Sequence, residues 1–292
     1  MWRVRVPASV ANLGSGFDAL GLALSLWLEL EGGASDRDVF DYRGEGEVSP
    51  ESPGDSLVHR AWRAAWSELG EEAPPLAVRV NNPIPLARGL GSSAAALVGG
   101  AALADLESGG RLGRDGVFAV AAELEGHPDN AGASAYGGLV VGVGRPWRAV
   151  SLEFPDEIVA VVAVPEFEVP TERARAALPP SVPREDAVFN LARAALWPAA
   201  LLSRRWDLLA EAAGDRLHQP QRAALMPGAA EAIAAAYRAG ALAAFVGGAG
   251  PAVAALAPEE LVGRVAQGLR EYAGDGRVLA LRSAGGYRWK AI

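Results

Sequence analysis

The sequence predicts an α+β fold made of two domains. Segments typical of strands and helices are mixed in both halves, without the steady β-α-β rhythm of a parallel sheet. The chain has 292 residues and is 50% hydrophobic, which is enough for one large domain or two ordinary ones. The hydrophobic pattern loosens over residues 145–157. We therefore place the boundary between residues 152 and 153, giving domains 1–152 and 153–292.

The first domain begins with segments that alternate between apolar and polar residues, as half-buried strands do. These are "WRVRVPAS" (2–9) and "LSLWLELE" (24–31), with a glycine-containing loop between them. A third strand is predicted at "LAVRVNN" (76–82). A helix is predicted over residues 55–69 because apolar residues recur there at helical spacing, namely Leu57, Ala61, Trp62, Ala65, Trp66 and Leu69.

A glycine-rich loop and an alanine-rich helix occupy the centre of the first domain. Pro83 and Pro85 each bias the preceding residue away from helix, so the chain is expected to enter the loop extended. The helix that follows the loop is predicted to begin with Ser92 or Ser93 as its N-cap, because a serine oxygen can accept a free backbone N–H there.

The remaining elements are predicted from helical spacing, apolar runs and glycine stops. A helix over residues 115–125 is expected to end at Gly126, a residue suited to a left-handed C-terminal stop. Residues 127–138 are predicted as a loop and residues 139–143 as a strand. In the second domain the predicted strands are 158–165, 242–246, 251–256 and 277–281, and the predicted helices are 171–177, 186–202, 206–217, 228–239 and 258–272.

Composition argues against several classes of function. A net charge of −8 and a pI near 5.1 leave no basic stripe, so broad nucleic-acid binding is not expected. Cysteine is absent, which excludes disulfides and thiolate metal sites, and 3 histidines are few for a histidine-rich zinc site. No apolar stretch reaches the ~18 residues of a membrane span, and the N-terminus lacks the apolar core of a signal peptide. We therefore expect a cytoplasmic protein without membrane partners.

The segment "PLARGLGSSAA" (85–95) predicts an anion-binding helix start. Its glycines let the backbone approach a ligand, and the free N–H groups and dipole of the following helix favour an anion. It is not a Walker A loop, which needs a lysine, because the single lysine of the chain is Lys290. The segment also lacks the third glycine of a dinucleotide-binding fingerprint, and the chain contains neither H-R-D nor D-F-G of protein kinases.

The same segment resembles the P-x-x-x-G-L-G-S-S-A-A signature of the GHMP kinase family. Residues 6–24 resemble the first motif of that family in its homoserine kinase form, and residues 245–256 resemble its glycine-rich third motif. Together with "EGHPDN" (125–130), these stretches extend the resemblance over nearly the whole chain. They also follow the order in which the family carries its motifs.

The resemblance implies a fold, an activity and its cofactors. The fold is a ribosomal-S5-like N-terminal domain and a ferredoxin-like C-terminal domain, with ATP and the acceptor in the cleft between them. The activity is transfer of the γ-phosphoryl group of ATP, with Mg²⁺, to the side-chain hydroxyl of L-homoserine. A homodimer is typical of the family, although the sequence gives no independent sign of one.

The predicted cofactor residues come from the loop and from one carboxylate. Mg²⁺ takes oxygen ligands and keeps several waters, so a hydroxyl, a carboxylate and phosphate oxygens suffice. Ser92 or Ser93 is expected to supply the hydroxyl, and the resemblance favours Glu125 over Glu123 as the carboxylate, with Ser93 and Glu125 as the predicted metal ligands. The predicted nucleotide-binding residues are Pro85, Leu86, Ala87, Arg88, Gly89, Leu90, Gly91, Ser92, Ser93, Ala94 and Ala95.

An amino-acid acceptor needs an anion for its ammonium, guanidinium groups for its carboxylate and a polar group for its hydroxyl. The resemblance assigns the ammonium to Asp18 and the carboxylate to Arg175 and Arg222. It assigns the reacting hydroxyl to Asp129 and Asn130. The predicted pocket is completed by Asn12, Thr171, Gly248 and His127, the histidine as a lining residue rather than a base. The predicted catalytic residues are Ser93, Glu125, Asp129 and Asn130.

Two departures from the family pattern and several alternative functions stay open. The third motif lacks its usual serine, since residues 247–251 read "GGAGP", and Ser56 stands where an asparagine often lines the adenine pocket. A mevalonate-type alcohol kinase would need a carboxylate site but no ammonium site, so Asp18 distinguishes it. A nucleotide-binding member without catalysis is a further alternative. A serine hydrolase is disfavoured, because Ser15 lies in G-S-G and not in G-x-S-x-G.

Overall fold

The computed structural model describes residues 1–46 and 52–292. The first half of the described chain contains, in order, β1 (Trp2–Ala11), β2 (Leu20–Ala34), β3 (Val39–Gly44), α1 (Leu57–Glu68), β4 (Leu76–Asn82), α2 (Ser92–Glu107), α3 (Gly113–Glu125), α4 (Asp129–Tyr136), β5 (Leu139–Val143) and β6 (Arg148–Leu152). The second half contains β7 (Ile158–Val164), α5 (Thr171–Ala176), α6 (Arg184–Ser203), α7 (Leu209–Ala212), α8 (Gln219–Arg222), α9 (Ala229–Arg238), β8 (Ala243–Val246), β9 (Val253–Pro258), α10 (Val262–Ala273), β10 (Arg277–Leu281) and β11 (Arg288–Ala291).

Within the described residues the first sheet has seven strands, and α2 and α4 pack against its strands β1 and β2. Its strand order is β11-β1-β2-β4-β3, with β5 pairing both β2 and β6. On β1, Val4, Val6, Ala8 and Val10 are fully buried beneath α2 and α4, because alternate side chains of a strand share a face. The alanines and glycines of α2 leave it buried on nearly every side, and Gly100 gives room for the backbone of α1.

The second sheet has the antiparallel order β10-β7-β9-β8. Strand β7 lies inside this sheet and is buried on both faces, which explains why its sequence, "IVAVVAV", is a continuous apolar run. Val162 faces the large core shared with the first half, whereas Val161 faces the cluster beneath α9 and α10. The two halves are therefore joined by one extensive apolar core.

Three strands of the described chain were not predicted from the sequence, and all three lie at sheet edges. They are β3, β6 and β11, which end the strand paths of the first sheet. An edge strand pairs on one side only and here remains largely exposed, so the buried alternation that marks a strand in sequence is weak in all three. The remaining predicted strands are confirmed to within a few residues.

Two predictions about helices are wrong. The predicted loop at residues 127–138 contains α4, a short helix of small residues whose stability comes from packing against β1, β2 and α3 rather than from helical propensity. The predicted helix at residues 206–217 is broken after α7. There the carboxylate of Asp215 accepts hydrogen bonds from the backbone N–H groups of Leu217, His218 and Gln219.

The domain boundary at 152/153 stays a prediction. Strand β6 ends in the first sheet at Leu152 and β7 begins in the second at Ile158, but β11 returns to pair with β1. Among the residues the structure describes, no helix combines the length and apolar character needed to cross a membrane.

Candidate active site

A cleft with a cavity volume of about 360 Å³ is lined by residues of both halves. The first half contributes the β1–β2 connection, the loop before α2 and the α3–α4 connection. The second half contributes residues 169–175, Arg222 and residues 248–250. Every residue predicted for substrate or metal binding lines this cleft, although these residues lie far apart in the sequence.

The glycine-rich loop reaches α2 through left-handed backbone at Ala87, Gly89 and Gly91. Neither serine is the N-cap of α2, contrary to prediction, because Gly91 occupies that position with φ 69°. The first N–H groups of a helix have no partner within it, and here they belong to Ser92, Ser93 and Ala94. A glycine cap also leaves both serine hydroxyls available for other contacts.

Two loops pack so closely at this point that side chains cannot fit between them. A Cβ on Gly89 would lie 2.0 Å from the carbonyl oxygen of Gly247, and one on Gly91 would lie 2.1 Å from Ser9 Oγ. The loop carbonyls are held by the protein, since Ser9 N–H donates to Leu90 O. The glycines are therefore required for the loop to sit against both the first and the third motif.

Three of the predicted nucleotide-binding residues have side chains that contact other parts of the protein or pack inside it. The guanidinium of Arg88 donates to Pro165 O at 3.0 Å and lies 2.8 Å from Glu168 Oε1, so it ties the loop to the second half. Ala94 and Ala95 are fully buried and do not line the cleft. They pack the start of α2 and can offer a ligand only their backbone.

Ser93 and Glu125 form the predicted metal-ligand pair. Ser93 Oγ donates to Glu125 Oε1 at 2.7 Å, which brings together the start of α2 and the end of α3. Burial raises the pKa of Glu125, while His127 and the Ser93 hydrogen bond act in the opposite direction. A hydroxyl beside a desolvated carboxylate offers two hard oxygen donors of the kind that Mg²⁺ prefers. The charge of a bound cation would keep the carboxylate ionised.

Asp18 and Arg175 form a two-point ion pair across the cleft. The two guanidinium Nη atoms donate to the two carboxylate oxygens at 3.0 and 2.9 Å. The hydrogen bonds that Arg175 donates to Asp18 are the main reason why the pKa of Arg175 is raised. Asn12 positions Asp18, because its Oδ1 accepts from the Asp18 N–H at 3.0 Å and its Nδ2 donates to Gly248 O. Asn12 therefore fixes the loop, and Asp18 and Arg175 present the charges.

Arg222 is a second guanidinium beside this pair and is almost fully buried. Burial lowers its pKa, and the nearby positive charge of Arg175 adds to that effect. Its Nε donates to Ala174 O at 3.0 Å and its Nη1 approaches His218 Nδ1 at 3.3 Å. His218 donates from Nε2 to Gly14 O, and both this histidine and His59 are fully buried.

His127, Asp129 and Asn130 form the polar wall at the start of α4. His127 Nδ1 lies 2.6 Å from Asp129 Oδ1, which also accepts the backbone N–H of Asn130 at 2.6 Å. Burial alone would lower the pKa of His127, but the carboxylates of Asp129, Glu125 and Asp18 outweigh it and raise that pKa. Asn130 Oδ1 accepts from Ser9 Oγ. The imidazole Nδ1 is therefore engaged with the Asp129 carboxylate.

Several aromatic and amide residues of the cleft were not predicted. The ring of Phe17 lies 5.9 Å from the Arg175 guanidinium and 5.3 Å from that of Arg222, close enough to hold both by cation–π contact. Tyr42 on β3 accepts from Asn82 Nδ2, which also donates to Ser92 Oγ. The alternation in "VFDYRG" (39–44) is the signal that could have indicated a strand there.

Comparisons with known proteins agree with this arrangement. The family model described as "GHMP kinases N terminal domain" matches residues 56–138, and the model described as "GHMP kinases C terminal" matches residues 199–275. A homoserine kinase from Thermus thermophilus is 58% identical over 289 residues, which cover 99% of this chain and 98% of that protein. A homoserine kinase from Moorella thermoacetica is 45% identical over 254 residues, which cover 86% of each chain.

Solved structures show the same architecture. The crystal structure of homoserine kinase from Cytophaga hutchinsonii superimposes with a TM-score of 0.87 at 27% identity, covering 99% of this chain and 96% of that one. L. major mevalonate kinase in complex with R-mevalonate superimposes with a TM-score of 0.71 at 15% identity, covering 97% and 95%. The second match is evidence for the fold alone.

Proposed function

This chain belongs to the GHMP kinase family, and we propose that it transfers the γ-phosphoryl group of ATP to the side-chain hydroxyl of L-homoserine. The product is O-phospho-L-homoserine, an intermediate of threonine biosynthesis. One observation carries the proposal, namely that a single cleft holds both a helix start with free backbone N–H groups and a pocket with a carboxylate and two guanidiniums. The proteins of highest identity reported above are homoserine kinases, which supports the same acceptor.

The charges of the acceptor pocket suit a zwitterion. Asp18 would take the ammonium, and Arg175 with Arg222 would take the carboxylate through guanidinium forks. In the absence of a ligand Asp18 and Arg175 neutralise each other. A bound zwitterion would replace this ion pair by two, one between Asp18 and its ammonium and one between Arg175 and its carboxylate. A ligand with only one of the two charges leaves one protein charge without a counter-ion in a partly desolvated pocket, which is unfavourable.

The distances in the pocket suit a short acceptor. A carboxylate oxygen of Asp18, a ring nitrogen of His127 and a carboxylate oxygen of Asp129 all lie within 4.8 Å of one another. An acceptor whose ammonium contacts Asp18 and whose hydroxyl contacts Asp129 is therefore only a few bonds long. L-homoserine meets this condition.

Phosphoryl transfer requires positioning and charge neutralisation more than covalent chemistry. The amides at the start of α2 would hold the phosphates, and Ser93 and Glu125 would hold Mg²⁺, whose charge would offset that of the phosphate oxygens. Asp129 would accept the hydrogen bond of the reacting hydroxyl, with Asn130 beside it. His127 would keep the Asp129 carboxylate in place rather than take a proton.

The experiment that tests the proposal is an ADP-release assay with ATP and Mg²⁺ across L-homoserine, mevalonate, galactose and L-threonine. We expect turnover with L-homoserine and little with the others. Activity on mevalonate in place of L-homoserine would favour the mevalonate-type alternative and overturn the substrate assignment. Binding of ATP without turnover of any alcohol would instead support a non-catalytic member of the family. An ester substrate without ATP should give no hydrolysis.

A further inference from the structure

Arg88 belongs to the glycine-rich loop, yet its guanidinium is bound to a segment of the second half. This segment, the strap, consists of residues 165–170 ("PEFEVP") and connects β7 to α5. Arg88 Nε donates to Pro165 O at 3.0 Å, and Nη2 donates to Glu166 O. Nη1 lies 2.8 Å from Glu168 Oε1. One side chain of the loop therefore holds the beginning of the strap.

The same guanidinium also fixes the bend of its own loop. Its Nη1 donates to Leu86 O at 3.1 Å. Between Leu86 and Arg88 lies Ala87, whose φ of 51° is left-handed, a conformation that a residue with a Cβ rarely adopts. The backbone oxygen of Arg88 accepts from the N–H of Ala252, in the third motif, at 3.2 Å. The positions of the loop and of the strap therefore depend on one residue.

The carbonyl contacts explain how a charged side chain is accommodated here. The Arg88 side chain is 15% exposed, whereas its carboxylate partner Glu168 is 59% exposed. An exposed ion pair contributes little, so the carbonyl oxygens of Leu86, Pro165 and Glu166 are what offset the desolvation of the guanidinium. A guanidinium carries its N–H groups in a rigid planar fork, which a lysine ammonium does not reproduce. The geometry therefore requires an arginine rather than a positive charge alone.

The strap ends at the helix that carries the acceptor arginine. Helix α5 begins at Thr171, directly after the strap, and contains Arg175, which pairs with Asp18. Within the described part of the chain, the hydrogen bonds and ion pairs that join residues 165–176 to the first half come from Arg88 and Arg175. A zwitterion bound as proposed above would replace the contact of Arg175. The contact of Arg88 would then be the direct one that remains.

We propose that Arg88 is a positioning residue, which sets the distance between the donor and acceptor sites by holding the glycine-rich loop and the strap together. This inference rests on the proposed function, because it needs the phosphates of ATP at the start of α2 and the acceptor carboxylate at Arg175. Arg88 acts through the loop and the strap and not by contact with a substrate. Phosphoryl transfer depends on the alignment of donor and acceptor, and a displacement of about 1 Å can cost about 100-fold in rate. A nucleotide that orders the loop should therefore also order α5.

Steady-state kinetics of Arg88→Met and Arg88→Lys test this role. Arg88→Met removes the fork and keeps most of the aliphatic stem, so kcat should fall by about 10- to 100-fold. The KM values for ATP and L-homoserine should change by less than about threefold, because the loop and α5 keep their other contacts, from Ser9 to Leu90 O and from Arg222 to Ala174 O. Arg88→Lys keeps the charge without the fork and should recover only part of kcat. An unchanged kcat in Arg88→Met, or full recovery in Arg88→Lys, would overturn the proposal.

Hydrogen exchange of α5 gives a second readout that does not require turnover. In the wild type, a saturating non-hydrolysable ATP analogue with Mg²⁺ should slow the exchange of residues 171–176 by at least about threefold. In both Arg88 variants the analogue should still protect the loop but should no longer protect α5 fully. No protection of α5 in the wild type, or equal protection in the variants, would contradict a role in coupling. Protection through Arg88 without phosphorylation of L-homoserine would refute the proposed function while supporting the coupling.

Arg282→Met is the matched control, because Arg282 makes the same kinds of contact outside the cleft. Its guanidinium donates to Asp156 O at 2.6 Å and contacts the carboxylate of Glu259. Neither kcat nor the protection of α5 should change in this variant. Circular dichroism checks that all variants are folded, and Arg88→Lys supplies the same test with the smaller perturbation. A loss of kcat in Arg282→Met as large as that in Arg88→Met would indicate a general structural effect and overturn the specific role of Arg88.

Discussion

Replacing Asp18 by asparagine removes the carboxylate of the acceptor pocket while keeping the shape of the side chain. The proposed function predicts that Asp18→Asn raises the KM for L-homoserine and leaves the KM for ATP nearly unchanged. Asp18 has no role in the loop before α2, and its side-chain partner is Arg175 of the acceptor pocket. The two substrates should therefore respond differently.

The size of the effect follows from the exposure of the pair. A hydrogen bond to a charged group contributes about 1.5–3 kcal/mol when it is shielded from water. The Asp18 side chain is 32% exposed, so we take the lower part of this range, about 2 kcal/mol. The substitution also breaks the ion pair between Asp18 and Arg175, which is worth up to about 1 kcal/mol. Because substrate binding no longer has to break this pair, up to about 1 kcal/mol of the loss is offset. The net loss of about 1–2 kcal/mol corresponds to a rise of about 5- to 30-fold in the KM for L-homoserine.

Initial rates with each substrate varied in turn measure both constants. Asp207→Asn is the control, because Asp207 also forms a two-point pair with an arginine, Arg205, but on the exposed surface. It should change neither constant. 4-Hydroxybutyrate lacks the ammonium. Its KM should therefore exceed the KM for L-homoserine by a smaller factor in Asp18→Asn than in the wild type. An equal rise in both KM values, or no rise at all, would refute the assignment of Asp18 to the ammonium.

Three further predictions follow from the geometry. Glu125→Gln keeps the hydrogen bond to Ser93 but removes a charge, so activity at limiting Mg²⁺ should fall by about 10- to 100-fold and recover in part as Mg²⁺ is raised. Gly89→Ala puts a Cβ 2.0 Å from Gly247 O, so the KM for ATP should rise by at least about tenfold as the loop is displaced. Burial lowers the pKa of His59 in the folded state. Near pH 6 the unfolded state therefore binds more protons than the folded state. The stability that His59 contributes is present above its unfolded pKa of about 6.5 and is lost as the pH falls below that value. The difference in unfolding free energy between the wild type and His59→Gln should therefore shrink as pH falls below 6.5, by up to about 1.4 kcal/mol per pH unit.

Each of these predictions has its own control. Glu123→Gln should not change the Mg²⁺ dependence, because Glu123 is exposed and contacts Arg145. Gly109→Ala shares the positive φ of Gly89, but its Cβ meets no atom of the described residues within 4 Å, so it separates backbone strain from the clash. Equal effects of the two alanine substitutions on ATP would contradict the close approach of the two loops. Denaturant unfolding at several pH values measures the effect of His59, and a difference that does not depend on pH would contradict its burial in neutral form.

Local chemistry made much of the fold and of the glycine-rich loop predictable. Gly126 ends α3 in left-handed backbone, as predicted, because glycine adopts positive φ without a steric penalty. The apolar run of β7 predicts a buried strand for a similarly local reason. By contrast, Ser92 and Ser93 are good N-caps by type, but the close packing of the loop selects Gly91 instead.

The sequence by itself determined the glycine-rich loop and the start of the helix that follows it, because backbone dihedral preferences and helix ends depend on residues that are neighbours in the chain. Only the tertiary structure decided how charges are paired. Asp18 and Arg175 are separated by 157 residues, and only the packing of the two halves brings them into contact. Packing likewise turned Arg88 toward the second half and left one face of α6 uncovered. Contacts of this kind depend on the whole arrangement of the core, which no local pattern encodes.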